Sequence, residues 1–329
     1  MIKIYTQRAF SGKFSKFMIL KVKEKNNSQR LDLFLVEKIK KTRGEVQKLI
    51  KEGGVLIDGK IKSNHYALKN GEIITIKNEK SKIKKSFKEG ELGVKVVYEN
   101  DEFLVVDKPA GLIVHGAPHI KGPTLADWLL KKYPAIKNVG ENKARPGIMH
   151  RLDKDASGLM VIAKNNEAFR NLKKQFQARI VEKEYTALVY GTIAKETGKI
   201  SFSIKRSAGG HRQAAVPEGY NFKEKFLELR EAFSEFKVIK RFVNYTMLAV
   251  KIASGRKHQI RVHLFAYGYP LVGDNLYSTK KTREMNRKNK LSRIFLVASR
   301  LSFEDLSGKK RFFAVNLPPE LEKFLAGIV

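Results

Sequence analysis

Apolar positions along the chain recur at two spacings. In residues 30–40 the apolar Leu31, Phe34, Leu35 and Val36 predict a short helix. Thr42-Arg43-Gly44-Glu45 places a hydroxyl three residues ahead of a carboxylate. That predicts a capping box, and Val46, Leu49 and Ile50 follow at helical spacing. Val55-Leu56-Ile57 and Lys60-Ile61-Lys62 flank Asp58-Gly59, the pattern of a two-residue hairpin. Residues 73–76 predict a further strand. These elements make residues 28–77 a small α/β unit. Residues 1–27 read as an N-terminal extension, where Ile2, Ile4 and Tyr5 alternate with polar residues as in a strand. Residues 78–92, with Lys80, Lys82, Lys84, Lys85 and Lys88, read as a polar linker.

A larger domain is expected over residues 93–329. Residues 94–98 and 103–106 predict strands joined by a polar turn. Thr124-Leu125-Ala126-Asp127 predicts a second capping box, opening a helix to about Tyr133. Strands are predicted at 159–163, 185–190, 247–252 and within 295–303. Helices are predicted at 167–179, with Phe169, Leu172 and Phe176 on one face, and at 258–267. Residues 280–293 read as a basic loop, either a solvated insertion or a contact with RNA. Strands and helices alternate irregularly. The fold class is therefore α+β with a mixed, largely antiparallel sheet, rather than a doubly wound one.

Charge changes the picture. The 329 residues carry 66 Lys and Arg against 33 Asp and Glu, a net charge of +33. A polyanionic partner offsets such self-repulsion, and nucleic acid is the commonest; a solvated lysine-rich surface is the plainer account. Residues 1–90 hold 23 basic and 9 acidic residues, a charge density about twice that of the remainder. There is no cysteine, which excludes disulfides, Cys-zinc sites and a thiol nucleophile, and fits a reducing, cytoplasmic setting. No apolar run approaches the ~20 residues of a membrane span.

The sharpest chemistry lies in His150-Arg151-Leu152-Asp153-Lys154-Asp155-Ala156-Ser157-Gly158. Arg151 and Lys154 flank Asp153, and cations there hold a carboxylate ionised, as a nucleophile or general base requires. Taken alone, the stretch reads equally as a charged turn before a strand. Tyr185 alone reads as a core aromatic, and Arg261 as a surface or phosphate-binding arginine. His150, His258 and His263 have no carboxylate or thiol at ligand spacing, so structural hydrogen bonds are expected of them and no metal. Lys108-Pro109 reads as a turn.

The stretch resembles the H-R-L-D-x-x-T/A-S-G signature of the RluA/RluC/RluD family of RNA pseudouridine synthases. Six fixed residues arise by chance in a chain this long with a probability of roughly 10⁻⁵. Asp107-Lys108-Pro109-Ala110-Gly111 with His115 resembles the family's K-P-A/S-G turn. Lys183-Glu184-Tyr185 resembles its tyrosine motif, and Ser254 to His263 its T-G-R-T/S-H-Q-I/L-R-V-H motif. Gly273-Asp274, Tyr277, Ala298 and Leu301 follow at the family spacing, and residues 28–77 resemble an S4 RNA-binding domain. Ala156, Lys257 and Val297 depart from the usual residues, at positions that bear on substrate fit rather than on the reaction.

The resemblance implies that uridine loses its N1–C1′ bond, turns while bound and re-bonds through C5, with no cofactor. It implies Asp153 as the catalytic carboxylate, acting at C1′ or on a 2′ proton. Arg261 would pair with it, and Tyr185 would stack on the uracil near the C5 proton. Candidate RNA contacts are Arg43, Lys48, Lys51, Lys60 and Lys62 in the S4-like unit, and Arg151, Arg256 and His258 in the larger domain. Large-subunit ribosomal RNA is the expected substrate and transfer RNA the alternative; the expected enzyme is a monomer with no membrane contact. Two other classes compete: a non-catalytic RNA-binding or ribosome-assembly protein, and a glycosidase using Asp153 and Asp155 as paired carboxylates.

Overall fold

A computed structural model of the chain describes residues 3–8, 14–39, 41–77, 90–116, 122–207, 212–217, 229–289 and 291–328. The predicted linker lies, as far as residue 89, outside the described residues. The chain divides into two compact units, residues 1–85 and 86–329.

The first unit contains strands β1 (Lys3–Arg8) and β2 (Phe14–Lys21), helices α1 (Leu31–Ile39) and α2 (Arg43–Lys51), and strands β3 (Val55–Ile57) and β4 (Ile73–Lys77). The antiparallel sheet runs β1-β2-β4-β3. The segment read as an extension thus contributes two strands, because β2 hydrogen-bonds along β4 from Phe17 to Lys21. Phe34, Leu35, Val46, Ile50, Ile57 and Ile74 form the core between helices and sheet. The capping box at Thr42 is present, with Thr42 and Glu45 satisfying each other's backbone N–H groups. Asp32 is fully buried. Its carboxylate accepts from Arg30, Arg43, Gln47 and the Leu33 amide.

The predicted hairpin is half right. Asp58 and Gly59 take the positive φ values, 45° and 78°, that such a turn needs. Pairing then stops after one bridge, Ile57 to Lys60, and β3 pairs with β4 instead. The reason is burial: Ile74 and Ile76 are buried, whereas Ile61 is 65% exposed and its neighbours are lysines.

The second unit contains β5 (Lys95–Glu99), β6 (Phe103–Lys108), α3 (Leu125–Lys132), β7 (Ser157–Ala163), α4 (Asn166–Gln177), β8 (Glu182–Tyr190), β9 (Thr197–Ile200), β10 (Ser203–Arg206), β11 (Gln213–Val216), β12 (Ser234–Arg241), β13 (Tyr245–Ile252), α5 (Gln259–Ala266), α6 (Lys280–Asn289), β14 (Leu296–Glu304), β15 (Lys310–Ala314) and α7 (Pro319–Ala326). One large sheet runs β5-β6-β7-β14-β8-β13-β12-β9, with β15 also on β14; β10 and β11 form a separate ribbon. The pairs are antiparallel except β7 with β14. The expected mixed, largely antiparallel sheet is therefore what forms. Central β7 is buried at every position, as a strand covered on both faces must be.

Residues 280–293, expected to be a loop, form α6 over most of their length. No apolar stripe announces it, because its inward positions are polar. Thr282 and Asn286, four residues apart, are buried. Asn286 Oδ1 accepts from the Gly273 amide and the Tyr190 hydroxyl, and its Nδ2 donates to the Asp274 carbonyl. Thr279 and Thr282 cap the helix start reciprocally.

Candidate active site

Asp153 lies in the loop that leads into β7. Leu152 and Ala156 are buried on either side of it and anchor the loop. Lys108, at the end of β6, is fully buried and donates to three carbonyls: Pro109 at 2.7 Å, Leu112 at 2.9 Å and Lys154 at 3.3 Å. Gly111 N–H reaches the same Lys154 carbonyl. Burial, then the nearby Arg293 guanidinium, pushes the Lys108 ammonium down to about 7. The three acceptors oppose that shift, because only the protonated amine has three N–H donors. Lys108 is thus more than the turn residue expected from sequence: it clamps the loop beside Asp153. At the loop's far end Gly158 has φ +114°, and a Cβ there would stand 2.3 Å from the Ala298 carbonyl oxygen. Only glycine lets β7 approach β14 so closely at this point.

Helix α5 supplies the cations. It is buried on all sides from Gln259 to Leu264, so its polar residues must all find partners. Arg261 forms a two-bond fork with Asp274, Nε to Oδ2 at 2.7 Å and Nη2 to Oδ1 at 3.0 Å. Its remaining Nη1 reaches Asp153 Oδ2 at 3.4 Å. The expected pairing of Arg261 with Asp153 is therefore a single long contact, and Asp274 is what fixes the guanidinium. These two carboxylates outweigh burial and push Arg261 above the usual arginine range. His258 precedes the helix in a left-handed conformation, φ 56°. Its Nδ1 lies 3.0 Å from the Tyr277 hydroxyl, which accepts from the Gln213 amide. His258 Nε2 lies 3.9 Å from Asp153 Oδ1. Burial, partly opposed by the Asp153 charge, lowers His258 below its usual range. His263 is held between the Phe202 carbonyl and Ser234, a structural role.

Tyr185, on β8, is buried, and burial followed by the Asp153 charge raises its hydroxyl well above the usual tyrosine range. Asp153, Tyr185 and Arg261 line one cavity of about 480 Å³, together with Arg151, Arg256 and His258. Among the described residues Asp153 is the single carboxylate on that wall; Arg145, Arg179, Lys183 and Lys257 add further cations. Asp155 lines a different cavity, with Lys154 and Arg293, and is not on the wall that carries Asp153. The paired-carboxylate arrangement of a glycosidase is not built here. Among the described residues no cluster of His, Asp or Glu is placed to hold a metal ion.

Residues 102–266 match the family model of RNA pseudouridylate synthases, and residues 29–78 match the S4 domain model. An uncharacterized RNA pseudouridine synthase of Aquifex aeolicus is 37% identical over 268 residues, covering 80% of this chain and 81% of that protein. The chain belongs to the RNA pseudouridylate synthase family. A second relative, ribosomal large subunit pseudouridine synthase D of Pseudomonas aeruginosa, is 37% identical over 250 residues, 76% of this chain and 73% of that one. Human RNA pseudouridylate synthase domain containing 1 superposes with a TM-score of 0.55 at 25% identity, across 70% of this chain and 87% of that chain.

The family match contains Asp153, Tyr185 and Arg261, but Asp274 and Tyr277 lie beyond it. They are the site residues the sequence reading did not assign. The signal for Asp274 was its position after Gly273: a Cβ there would stand 2.0 Å from the Arg293 carbonyl oxygen. In the S4 unit, Arg43 is partly committed to Asp32 and Lys48 faces Glu52 at 3.8 Å. Lys62 lies over the Tyr66 ring, while Lys51 and Lys60 are exposed.

Proposed function

We propose that this chain converts uridine to pseudouridine in large-subunit ribosomal RNA, with Asp153 as the carboxylate that acts at the sugar. One observation carries the assignment: among the described residues Asp153 is the sole acid on a cation-lined cavity, and its one hydrogen bond to them leaves most of its lone pairs unused. An ionised carboxylate in that state suits both attack at C1′ and removal of a 2′ proton. Arg261, locked by Asp274, contacts Asp153 through one guanidinium nitrogen without saturating it. Tyr185 offers its ring face to the uracil, with its hydroxyl within reach of the C5 proton. The target base leaves the RNA stack to enter the cavity, at a cost of a few kcal/mol. Arg151, Arg256 and His258 take the surrounding RNA backbone, and the S4 unit grips it elsewhere through Arg43, Lys48, Lys51, Lys60 and Lys62. The large-subunit substrate follows the name of the Pseudomonas relative. A reducing, cytoplasmic setting fits the cysteine-free chain.

The test is a nuclease digest of large-subunit ribosomal RNA, transcribed in vitro and treated with the purified enzyme. The expected product is a C-glycoside of unchanged mass at a defined uridine. Release of free uracil would mark a hydrolase, unaltered RNA a binding protein. Conversion of transfer RNA alone would move the substrate class.

A further inference from the structure

We propose that the Lys183 ammonium contacts the uracil and stabilises the negative charge it carries after its bond to the sugar breaks. This rests on the uridine-isomerising reading above and adds a catalytic group to it. Side chains alternate along β8. Lys183 and Tyr185 line the cavity with Asp153, whereas Glu184 and Thr186 line a groove on the opposite face. The acids adjoining Lys183 in sequence are spent elsewhere: Glu184 pairs with Arg300 at 3.0 Å and Glu182 with Lys310 at 2.6 Å. Asp153, the only acid on the cavity wall among the described residues, is engaged by Arg261. Lys183 is thus a half-buried ammonium with an aromatic neighbour, its Nζ 5.5 Å from the Phe176 ring centre, and no anion paired with it among the described residues. Burial alone pushes it below the usual lysine range, with no carboxylate near enough to hold it up. A desolvated cation without a counter-ion is costly, and such groups gather where a ligand supplies the missing charge.

The reaction supplies that charge. When N1–C1′ breaks, its electron pair leaves with the base, and uracil becomes an anion delocalised over N1, O2 and O4. The sugar carbon is meanwhile bonded to the Asp153 carboxylate, or is left double-bonded to C2′ after the 2′ proton has passed to Asp153. When C5 bonds to C1′, the Asp153 carboxylate is released or its borrowed proton returns to C2′, and the charge leaves the ring; loss of the C5 proton, balanced by uptake of a proton at N1, then gives neutral pseudouridine. Lys183 gains and loses no proton; it is the counter-ion of a transient anion, complementary to the intermediate and not to neutral uridine.

The experiment compares wild type, Lys183→Met and Lys183→Arg in single-turnover conversion of two transcripts of the same ribosomal RNA, one with uridine and one with 5-fluorouridine. Fluorine withdraws electrons, so 5-fluorouracil is a more stable anion and needs the ammonium less. Lys183→Met is expected to slow uridine turnover by about 10²-fold and 5-fluorouridine cleavage by about tenfold or less, with Lys183→Arg restoring most of the loss. Equal losses on both transcripts would overturn the proposal in favour of a packing role. A rise in KM alone would overturn it in favour of a phosphate contact, and rates within threefold of wild type would overturn it outright. A wild-type enzyme that converts no uridine in either transcript would instead overturn the uridine-isomerising reading, and this inference with it.

Discussion

Asp32 and Asp153 are both aspartates held by arginine, one in each unit, and they have opposite fates. Asp32 is fully buried and saturated: Arg30, Arg43, Gln47 and a backbone amide fill its acceptor sites. Burial works to raise it, but the hydrogen bonds from Arg30, Gln47 and Arg43 outweigh burial and hold it well below the usual carboxylate range. Asp153 has a 15% exposed side chain, faces a cavity, and among the described residues meets Arg261 Nη1 at 3.4 Å and His258 Nε2 at 3.9 Å. The arginine beside it is fixed by another acid, Asp274, so the charge is present but the lone pairs stay open. An ion pair that is complete is architecture, whereas an anion next to a cation already spoken for is free to react.

The strongest way to break this comparison is at Arg261. Arg261→Lys keeps the charge but loses the planar fork, so Asp274 and Asp153 can no longer be served together. Turnover is expected to fall by about 10³-fold in single-turnover assays, comparable to the loss of one preorganised transition-state donor. Full activity would make Arg261 a simple phosphate contact. Asp32→Asn is the converse. It should lower the stability of the first unit by about 2–3 kcal/mol, read as faster hydrogen exchange in α1 and α2, while RNA modification persists at saturating enzyme. Lost turnover with unchanged exchange would reverse the assignment.

A smaller effect separates the units by pH. Burial lowers His263 from 6.5 to about 4 and His150 to about 3, both in the second unit. On acidification the unfolded chain takes up these protons first. Their contribution to stability is therefore complete above about pH 6.5 and is lost as pH falls toward 4. Each histidine should remove about 2 kcal/mol between pH 8 and pH 5, seen as a falling midpoint in denaturant for the second unit. A flat midpoint would mean that one or both are protonated in the fold. The gentlest probe is deletion of residues 1–85. Loss of three or four phosphate contacts should flatten log affinity against log salt by about 2–3, with uridine conversion persisting at high enzyme concentration. An unchanged slope would show that the first unit does not grip RNA.

Elements whose buried residues are apolar were legible before the structure: both capping boxes, the β5–β6 pair, α4 and the strands that carry Tyr185 and Ala298. Elements held by polar contacts were not. Helix α6 buries Thr282 and Asn286. The second arm of the Asp58-Gly59 hairpin failed because a turn sequence specifies only its own two residues, while tertiary burial chooses the partner strand. Asp153, Tyr185 and Arg261, which line one cavity, were picked out from motif. That Arg261 serves Asp274 first was not, since thirteen residues separate them and only the fold brings the fork together. Lys108 was hidden in the same way: three carbonyl acceptors on the loop around it leave no trace in side-chain pattern.

The most direct measurement is on Asp153→Asn, which keeps the shape of the side chain and removes its charge. Pseudouridine formed per enzyme and RNA affinity should be measured together, on the same large-subunit transcript. The account predicts that product formation falls by at least about 10⁴-fold while affinity stays within about threefold, because an essential covalent or proton-transfer group has been lost and the phosphate contacts have not. Turnover within tenfold of wild type would contradict it, and the open carboxylate of this cavity would then not be the group that acts on the sugar.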